Sequence, residues 1–159
     1  MDWEQLLKLF QQLAANRVAY ALIGGVALAL WGLVRITEDV DLFVEPTEEN
    51  VSRLRAALLA VWRDPEIEKI RASDLVGEYA VVRYGPPDSE LVIDILGHIG
   101  EAWHWEDLEV TEIELEGVPV KVATPRTLYR MKRTTLRFQD RADALFLEQN
   151  FPGEVGDDR

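Results

Sequence analysis

The sequence contains no cysteine and only two histidines among its 159 residues. Without cysteine, the chain can form neither a disulfide nor a thiolate zinc site. No apolar run reaches the ~18 to 20 residues that a membrane-spanning helix needs, because glycines interrupt the longest one, residues 18–34. The chain starts with the acidic stretch MDWEQLL, whereas a signal peptide starts with basic residues. We therefore expect a cytoplasmic protein without a membrane partner.

Positive charge is also scarce. Lysine and arginine together number 17 against 29 acidic residues, which gives a net charge of −12. A broad nonspecific nucleic-acid surface needs clustered basic residues, so this charge balance argues against one. The exception is residues 121–141, which hold seven basic residues: Lys121, Arg126, Arg130, Lys132, Arg133, Arg137 and Arg141. This basic segment is either a solvated helix face or a docking surface for RNA phosphate or an acidic partner.

The hydrophobic pattern predicts a single α+β domain with a mixed β-sheet flanked by helices and a C-terminal helical segment. We expect this domain to span residues 1–150 and residues 151–159 to form a flexible tail. Helices are expected at residues 3–16, just after Gly24-Gly25, at 48–62 with Thr47 as the N-cap, and from 125 onwards with Thr124 as the cap. Residues 139–150 are either a continuation of the last helix or a second helix. Strands are expected at 18–23, 39–44, 67–72, 78–85 and 90–97, with a hairpin around Glu116-Gly117.

Two carboxylates interrupt a segment that otherwise reads as a buried strand. Asp39 and Asp41 in DVDLFV share one strand face, with their Cα atoms roughly 6.5 Å apart, while Val40 between them faces the core. Asp94 is the one charge in a second apolar strand, LVIDILG. A strand-end turn and a satisfied core acid are the structural alternatives. If the two strands pair, the acids converge, and oxygen ligands without cysteine are typical of Mg²⁺ or Mn²⁺ sites.

Gly24 and Gly25 end the first predicted strand where a helix is expected to start. Backbone N–H groups at such a turn attract phosphate, and glycine allows close approach because it lacks a Cβ atom. Lys132 is predicted on the helix face that includes Asp143, where it can bind a triphosphate or form a salt bridge with Asp143.

The pattern IGG…DVDLFV…IDIL resembles the DNA polymerase beta-like nucleotidyltransferase superfamily. Small bacterial members are the most similar, namely the abortive-infection toxin-type transferases and the antibiotic nucleotidyltransferases. RITEDVDL resembles the R-x-T-x-D-x-D form of the toxin-type relatives, and residues 124–147 resemble their Lys…Arg…Asp-x-x-Asp helix. The resemblance covers residues 18–147. Gly25 departs from it, because many members have serine there.

The resemblance implies a role for each matching residue. Asp39, Asp41 and Asp94 would bind Mg²⁺ or Mn²⁺, and Asp94 would also orient or deprotonate the acceptor hydroxyl. Five further residues would bind the nucleotide phosphates: Gly24, Gly25, Arg35, Thr37 and Lys132.

The activity that the resemblance implies is transfer of a nucleoside monophosphate from an NTP to an acceptor hydroxyl. The acceptor is tRNA or a protein in a toxin–antitoxin setting, with a partner protein encoded nearby, or else an aminoglycoside or lincosamide antibiotic. The third alternative is a non-catalytic nucleotide-binding, antitoxin or regulatory module of the same fold.

Overall fold

The structure, a computed structural model, describes residues 2–34, 37, 39–133 and 138–156, with the backbone alone for 138 and 139. Within these ranges the helices are α1 (Trp3–Ala15), α2 (Gly24–Leu30), α3 (Glu48–Trp62), α4 (Pro125–Lys132), α5 (Phe138–Asn150) and α6 (Pro152–Val155). The strands are β1 (Tyr20–Ile23), β2 (Asp39–Val44), β3 (Val81–Tyr84), β4 (Val92–Leu96), β5 (His98–Ile99), β6 (Trp103–His104), β7 (Val110–Leu115) and β8 (Val118–Ala123).

The main sheet is mixed and has the order β3-β4-β2-β1-β8-β7, while β5 and β6 form a small separate pair. β2 pairs in parallel with β4, and β1 in parallel with β8. The neighbours β1/β2, β3/β4 and β7/β8 are antiparallel. This six-stranded mixed sheet with flanking helices confirms the predicted α+β class.

The core forms where the apolar stripes of the helices meet the central strands. Leu6, Leu9, Phe10 and Leu13 of α1 are fully buried, at the spacing of one helix face. Each such side chain contributes about 1.5 to 3 kcal/mol by leaving water. α1 packs on α3 and on β8, and α2 packs on β1 and β2. The helices therefore hold the central strands, including β2, in place.

A buried amide ties the start of β1 to the end of β2. Asn50 on α3 accepts from the backbone N–H of Ala19 at 2.7 Å and donates to the carbonyl oxygens of Ala19 and Glu45 at 2.9 and 2.8 Å. The helix containing it starts at the predicted cap, where the Thr47 hydroxyl accepts from the Asn50 N–H at 3.2 Å. Asn50 thus supports the antiparallel register of β1 and β2.

Two local signals are confirmed at the C-terminal half of the chain. Glu116 and Gly117 both have positive φ, 49° and 80°, which is the requirement of a type I′ hairpin turn between β7 and β8. Thr124 caps α4, since its hydroxyl accepts from the Thr127 N–H at 3.3 Å. The predicted helix at 139–150 is found as α5.

The strand expected at residues 67–72 is wrong. Residues Pro65–Lys69 and Ala72–Leu75 form 3-10 turns instead. Asp64 caps the first turn by accepting from the Glu66 N–H at 3.1 Å. Ile67 and Ile70 are buried at a spacing of three residues, which suits one face of a 3-10 turn, whereas a strand would place them on opposite faces.

The C-terminus differs from the expected flexible tail at residues 152–155. These residues form α6, in which Val155 is fully buried against the core. The Arg126 side chain donates from Nε to the carbonyl oxygen of Glu154 at 2.7 Å. Residues 157–159 lie outside the described part of the chain. Within that part, no helix is long and apolar enough to cross a membrane.

Candidate active site

The parallel pairing of β2 and β4 brings the three predicted acids to one part of the sheet. Asp41 lies directly opposite Asp94 in the register, and Asp39 lies opposite Val92. Asp39 and Asp41 are half-buried, whereas Val40 between them is fully buried. The first half of β2 therefore has one core face and one carboxylate face, as its i, i+2 spacing predicts.

An arginine that the sequence patterns did not single out connects two of these acids. Arg83 on the edge strand β3 lies opposite Asp94 in the antiparallel register. Its Nη2 donates to Asp39 Oδ2 at 2.9 Å, and its Nε donates to Asp94 Oδ1 at 3.1 Å. The sequence did contain a signal for this contact. Residues 85–89 (GPPDS) separate two strand-like runs, and a hairpin around this turn places Arg83 beside Asp94.

The surroundings of Asp41 disfavour its ionised form. Its pKa is raised to about 6. Burial is the largest cause of this rise, and the negative charges of Asp94 and Asp39 add to it. The charges of Lys132 and Arg83 act in the opposite direction and lower the pKa of Asp41. The site thus contains more negative charge than its own cations offset.

Gly24 is required by both conformation and space. Its φ is +72°, which side chains rarely adopt, and a Cβ atom built there would lie 2.2 Å from Asp41 Oδ2. The register of β1 and β2 explains this contact, since Ile23 lies opposite Asp41. Gly25 follows as a buried residue at the start of α2. Phosphate binding by Gly24 and Gly25 stays a prediction.

Lys132 forms the salt bridge that its helix position allows. Its Nζ lies 2.6 Å from Asp140 Oδ1 and 3.4 Å from Asp143 Oδ2, and both carboxylates are buried. Its charge also acts on Asp41, so the ammonium belongs to the surroundings of the acid site as well. The nucleotide-binding role of Lys132 stays a prediction.

The remaining predicted residues lie in the segment that leads into β2. Arg35 falls outside the described residues. Thr37 is half-buried, and its hydroxyl donates to the carbonyl oxygen of Asp39 at 3.3 Å. This bond supports the backbone at the first acid, while the predicted contact of Thr37 with nucleotide remains untested.

Within the described ranges, no group of three or more Asp, Glu or His side chains is arranged to ligate a metal ion. The Arg83 guanidinium lies between Asp39 and Asp94 and makes the contacts that a cation would otherwise make. The donor set itself fits a hard divalent cation, because it consists of carboxylates, and burial together with the charges of Asp94 and Asp39 raises the pKa of Asp41. The metal role of Asp39, Asp41 and Asp94 therefore stays a prediction.

Solved structures of nucleotidyltransferases share this fold. ANT(2″)-Ia in complex with adenylyl-2″-tobramycin superposes with a TM-score of 0.57 and 12% identity, covering 95% of this chain and 90% of that one. The solution structure of ANT(2″)-Ia superposes with a TM-score of 0.56 and 14% identity, covering 96% of this chain and 86% of that one. An antigenic nucleotidyltransferase-like protein from Paracoccidioides brasiliensis superposes with a TM-score of 0.54 and 20% identity, covering 92% of this chain and 75% of that one. These likenesses show the fold.

The sequence itself matches a protein family. No curated protein is similar enough to this chain to count as a relative. The family described as "Nucleotidyl transferase AbiEii toxin, Type IV TA system" matches residues 8–144, which include β2, β4 and the Lys132 cluster. The match confirms the nucleotidyltransferase resemblance drawn from IGG…DVDLFV…IDIL. The chain belongs to the AbiEii family of nucleotidyltransferase toxins of type IV toxin–antitoxin systems.

Proposed function

We propose that this nucleotidyltransferase moves a nucleoside monophosphate from an NTP to an acceptor hydroxyl and depends on Mg²⁺ or Mn²⁺. The observation that supports this most is the pairing of Asp41 with Asp94 on parallel neighbours, with Asp39 joined to Asp94 through Arg83. In this proposal Asp39 and Asp41 hold the divalent cation together with the triphosphate, and Asp94 contacts both the cation and the acceptor.

The transfer is a displacement at the α-phosphorus of the NTP. The acceptor oxygen bonds to that phosphorus, the bond to the bridging oxygen of the β-phosphate breaks, and pyrophosphate leaves. A bound divalent cation would supply charge stabilisation at the transferring phosphoryl group. Asp94 receives the proton of the acceptor hydroxyl or orients that hydroxyl for attack. Lys132 and Arg35 offset charge on the triphosphate or the leaving pyrophosphate.

We propose RNA, with the 3′ end of tRNA as the probe of choice, as the acceptor. The basic residues of this acidic chain concentrate in one segment, residues 121–141. Arg133 at the end of α4 and Arg141 on α5 are exposed. Arg126 and Arg130 are partly engaged locally, with the Glu154 carbonyl and the Glu109 carboxylate. Phosphate contacts of this kind weaken as salt rises, so transfer to RNA is expected to be salt-sensitive.

An aminoglycoside is the second candidate acceptor, and the net charge of −12 favours it. Polycationic antibiotics are attracted to acidic surfaces, whereas RNA is repelled by them. An acidic acceptor surface of this kind predicts a salt-sensitive reaction with amines rather than with polyanions.

The experiment incubates the protein with each α-labelled NTP, Mg²⁺ or Mn²⁺, and either total tRNA or tobramycin. Asp94→Asn tests the site, and Asp88→Asn serves as the matched control, because Asp88 is an exposed loop aspartate whose positive φ asparagine tolerates. We expect label on tRNA, at least ~100-fold less with Asp94→Asn, and unchanged labelling with Asp88→Asn.

The possible results separate the candidates. Label on tobramycin alone would replace RNA with an antibiotic as the acceptor. Tight NTP binding without transfer to any acceptor would support a non-catalytic module instead. Transfer that persists in EDTA would contradict the metal dependence. Labelling that Asp94→Asn leaves intact would contradict the assigned site.

A further inference from the structure

Arg83 joins two carboxylates that belong to different strands. Its Nη2 contacts Asp39 Oδ2 at 2.9 Å and its Nε contacts Asp94 Oδ1 at 3.1 Å. A guanidinium presents its donors in a planar fork, so one side chain can hold both acids at once. The arginine side chain is itself 63% exposed on an edge strand. It can therefore leave the acids for solvent without unpacking any neighbour.

The charges explain why a cation is needed at this position. Asp41 lies opposite Asp94 and two residues from Asp39, so three carboxylates share the site. Like charges this close repel each other unless a cation lies among them. Arg83 supplies one positive charge, and it occupies oxygens of the same two acids that the proposed divalent cation needs. A Mg²⁺ ion bound directly by the same two carboxylates would lie close to the guanidinium, and the repulsion between the two cations makes them compete for this position.

The fold does not depend on this contact. β3 pairs with β4 along its whole length, from Val81 opposite Leu96 to Tyr84 opposite Ile93. Tyr84 is buried, and its hydroxyl donates to Asp64 Oδ2 at 2.9 Å. The strand is thus anchored by its backbone and by its last side chain. The Arg83 head group is available for a separate role.

We propose that Arg83 is an internal counter-ion of the active site that competes with the divalent cation for Asp39 and Asp94. Before the cation binds, Arg83 offsets the repulsion among the acids and keeps their carboxylates directed at one point. When the cation binds, the guanidinium moves away from both acids. Arg83 is a positioning residue in this scheme, and it sets the cation concentration at which the site loads. This inference rests on the proposed metal dependence.

The test measures Mn²⁺ affinity of the full chain at constant ionic strength, with free Mn²⁺ followed by electron paramagnetic resonance and no nucleotide present. Arg83→Gln removes the competing charge, and Arg83→Lys keeps the charge without the fork. Arg53→Gln is the matched control, because Arg53 forms an ion pair with Glu49 within α3. We expect Arg83→Gln to bind Mn²⁺ about tenfold more tightly, Arg83→Lys to be intermediate and Arg53→Gln to be unchanged.

The outcomes distinguish this inference from the function on which it rests. Binding that strengthens in Arg83→Gln but not in the control Arg53→Gln, even where the wild-type protein barely binds, supports competition. Equal or weaker affinity in Arg83→Gln beside clear binding by the wild-type protein overturns the role of Arg83 and leaves the metal dependence intact. No binding by either protein, with or without NTP, overturns the metal dependence and the inference together.

Discussion

Two clusters of the chain each combine one cation with two carboxylates, and they differ in their exposure to water. Arg83 contacts Asp39 and Asp94 from an edge strand with most of its side chain in solvent. Lys132 contacts Asp140 and Asp143 from α4 with its side chain only 19% exposed, and the side chain of Asp143 is 1% exposed. An exposed pair is screened and easily exchanged, whereas a buried carboxylate depends strongly on its cation.

This difference in exposure indicates that the two clusters have different roles. The buried one joins α4 to α5 and supports the position of the C-terminal helices beside the active site. The exposed one lies among the acids proposed to exchange ligands during the reaction. Lys132 links the two clusters, because its charge also lowers the pKa of Asp41. Variants of the Lys132 cluster should therefore change stability more than variants of the Arg83 cluster, which should change mainly the reaction.

The largest effect on stability is expected from Lys132→Met, which keeps the apolar stem and removes the charge. Two buried carboxylates lose this cation, so we expect the free energy of unfolding to fall by about 3 kcal/mol. Arg83→Gln should lower it less, by about 1 kcal/mol, because the Arg83 and Asp39 side chains are 63% and 42% exposed and only that of Asp94, at 17%, is largely buried. Urea denaturation at pH 7.5 measures both. Equal losses in the two variants would contradict the comparison.

Gly24→Ala is expected to have the next largest effect, because it distorts the active site from the backbone side. The positive φ of Gly24 and the 2.2 Å approach of a Cβ atom to Asp41 Oδ2 both oppose alanine. We expect a loss of about 2 kcal/mol in unfolding free energy, with reduced nucleotide transfer. The double variant Gly24→Ala/Asp41→Ala removes the clash and should recover part of this loss. Additive effects in the denaturation cycle would show that the two residues do not touch.

Asp41→Asn is expected to change stability less than Gly24→Ala and, unlike that variant, to raise it while abolishing transfer. The pKa of Asp41 is raised from 3.8 to about 6 in the folded protein, so the folded state binds the proton more tightly than the unfolded state. Its ionised form therefore destabilises the fold, progressively between about pH 4 and 6 and fully above that. In EDTA, Asp41→Asn should gain about 1 to 2 kcal/mol at pH 8 and nothing near pH 4.

Thermal and urea unfolding across pH 4 to 8 measures this gain. Adding Mn²⁺ should stabilise the wild-type protein more at pH 8 than at pH 5, since protonated Asp41 is a poor ligand. An Asp41→Asn gain that is the same at every pH would contradict a titrating carboxylate.

Most of the fold could be predicted because its signals are local. Thr47 and Thr124 precede acidic or proline-led helix starts, and Glu116-Gly117 supplies the turn chemistry of a hairpin. The prediction of a strand at 67–72 failed because the spacing of three between Ile67 and Ile70 belongs to a 3-10 turn, which Pro65 begins. The helix at Pro152–Val155 was missed because its stability comes from the burial of Val155 against distant residues.

The candidate site divides in the same way. Asp39, Asp41 and Asp94 are recognisable in the sequence, because a carboxylate within an apolar strand is costly and therefore conspicuous. Arg83 is inconspicuous, because an arginine on an exposed strand is ordinary. Its significance lies in a pairing between strands. Asp143 was one of the partners predicted for Lys132 from the helix period, whereas its contact with Asp140 emerged only from the packing of α4 against α5.

The sequence by itself determined the α+β class, the carboxylate face of β2 and the resemblance to nucleotidyltransferases, since these follow from residue type and spacing along one element. Tertiary structure alone decided that Asp41 faces Asp94, that Gly24 leaves room for the Asp41 carboxylate, and which acids Arg83 and Lys132 contact. The physical reason is that charges interact through space. Their energies depend on register, burial and distance, which exist only once separate strands and helices have packed.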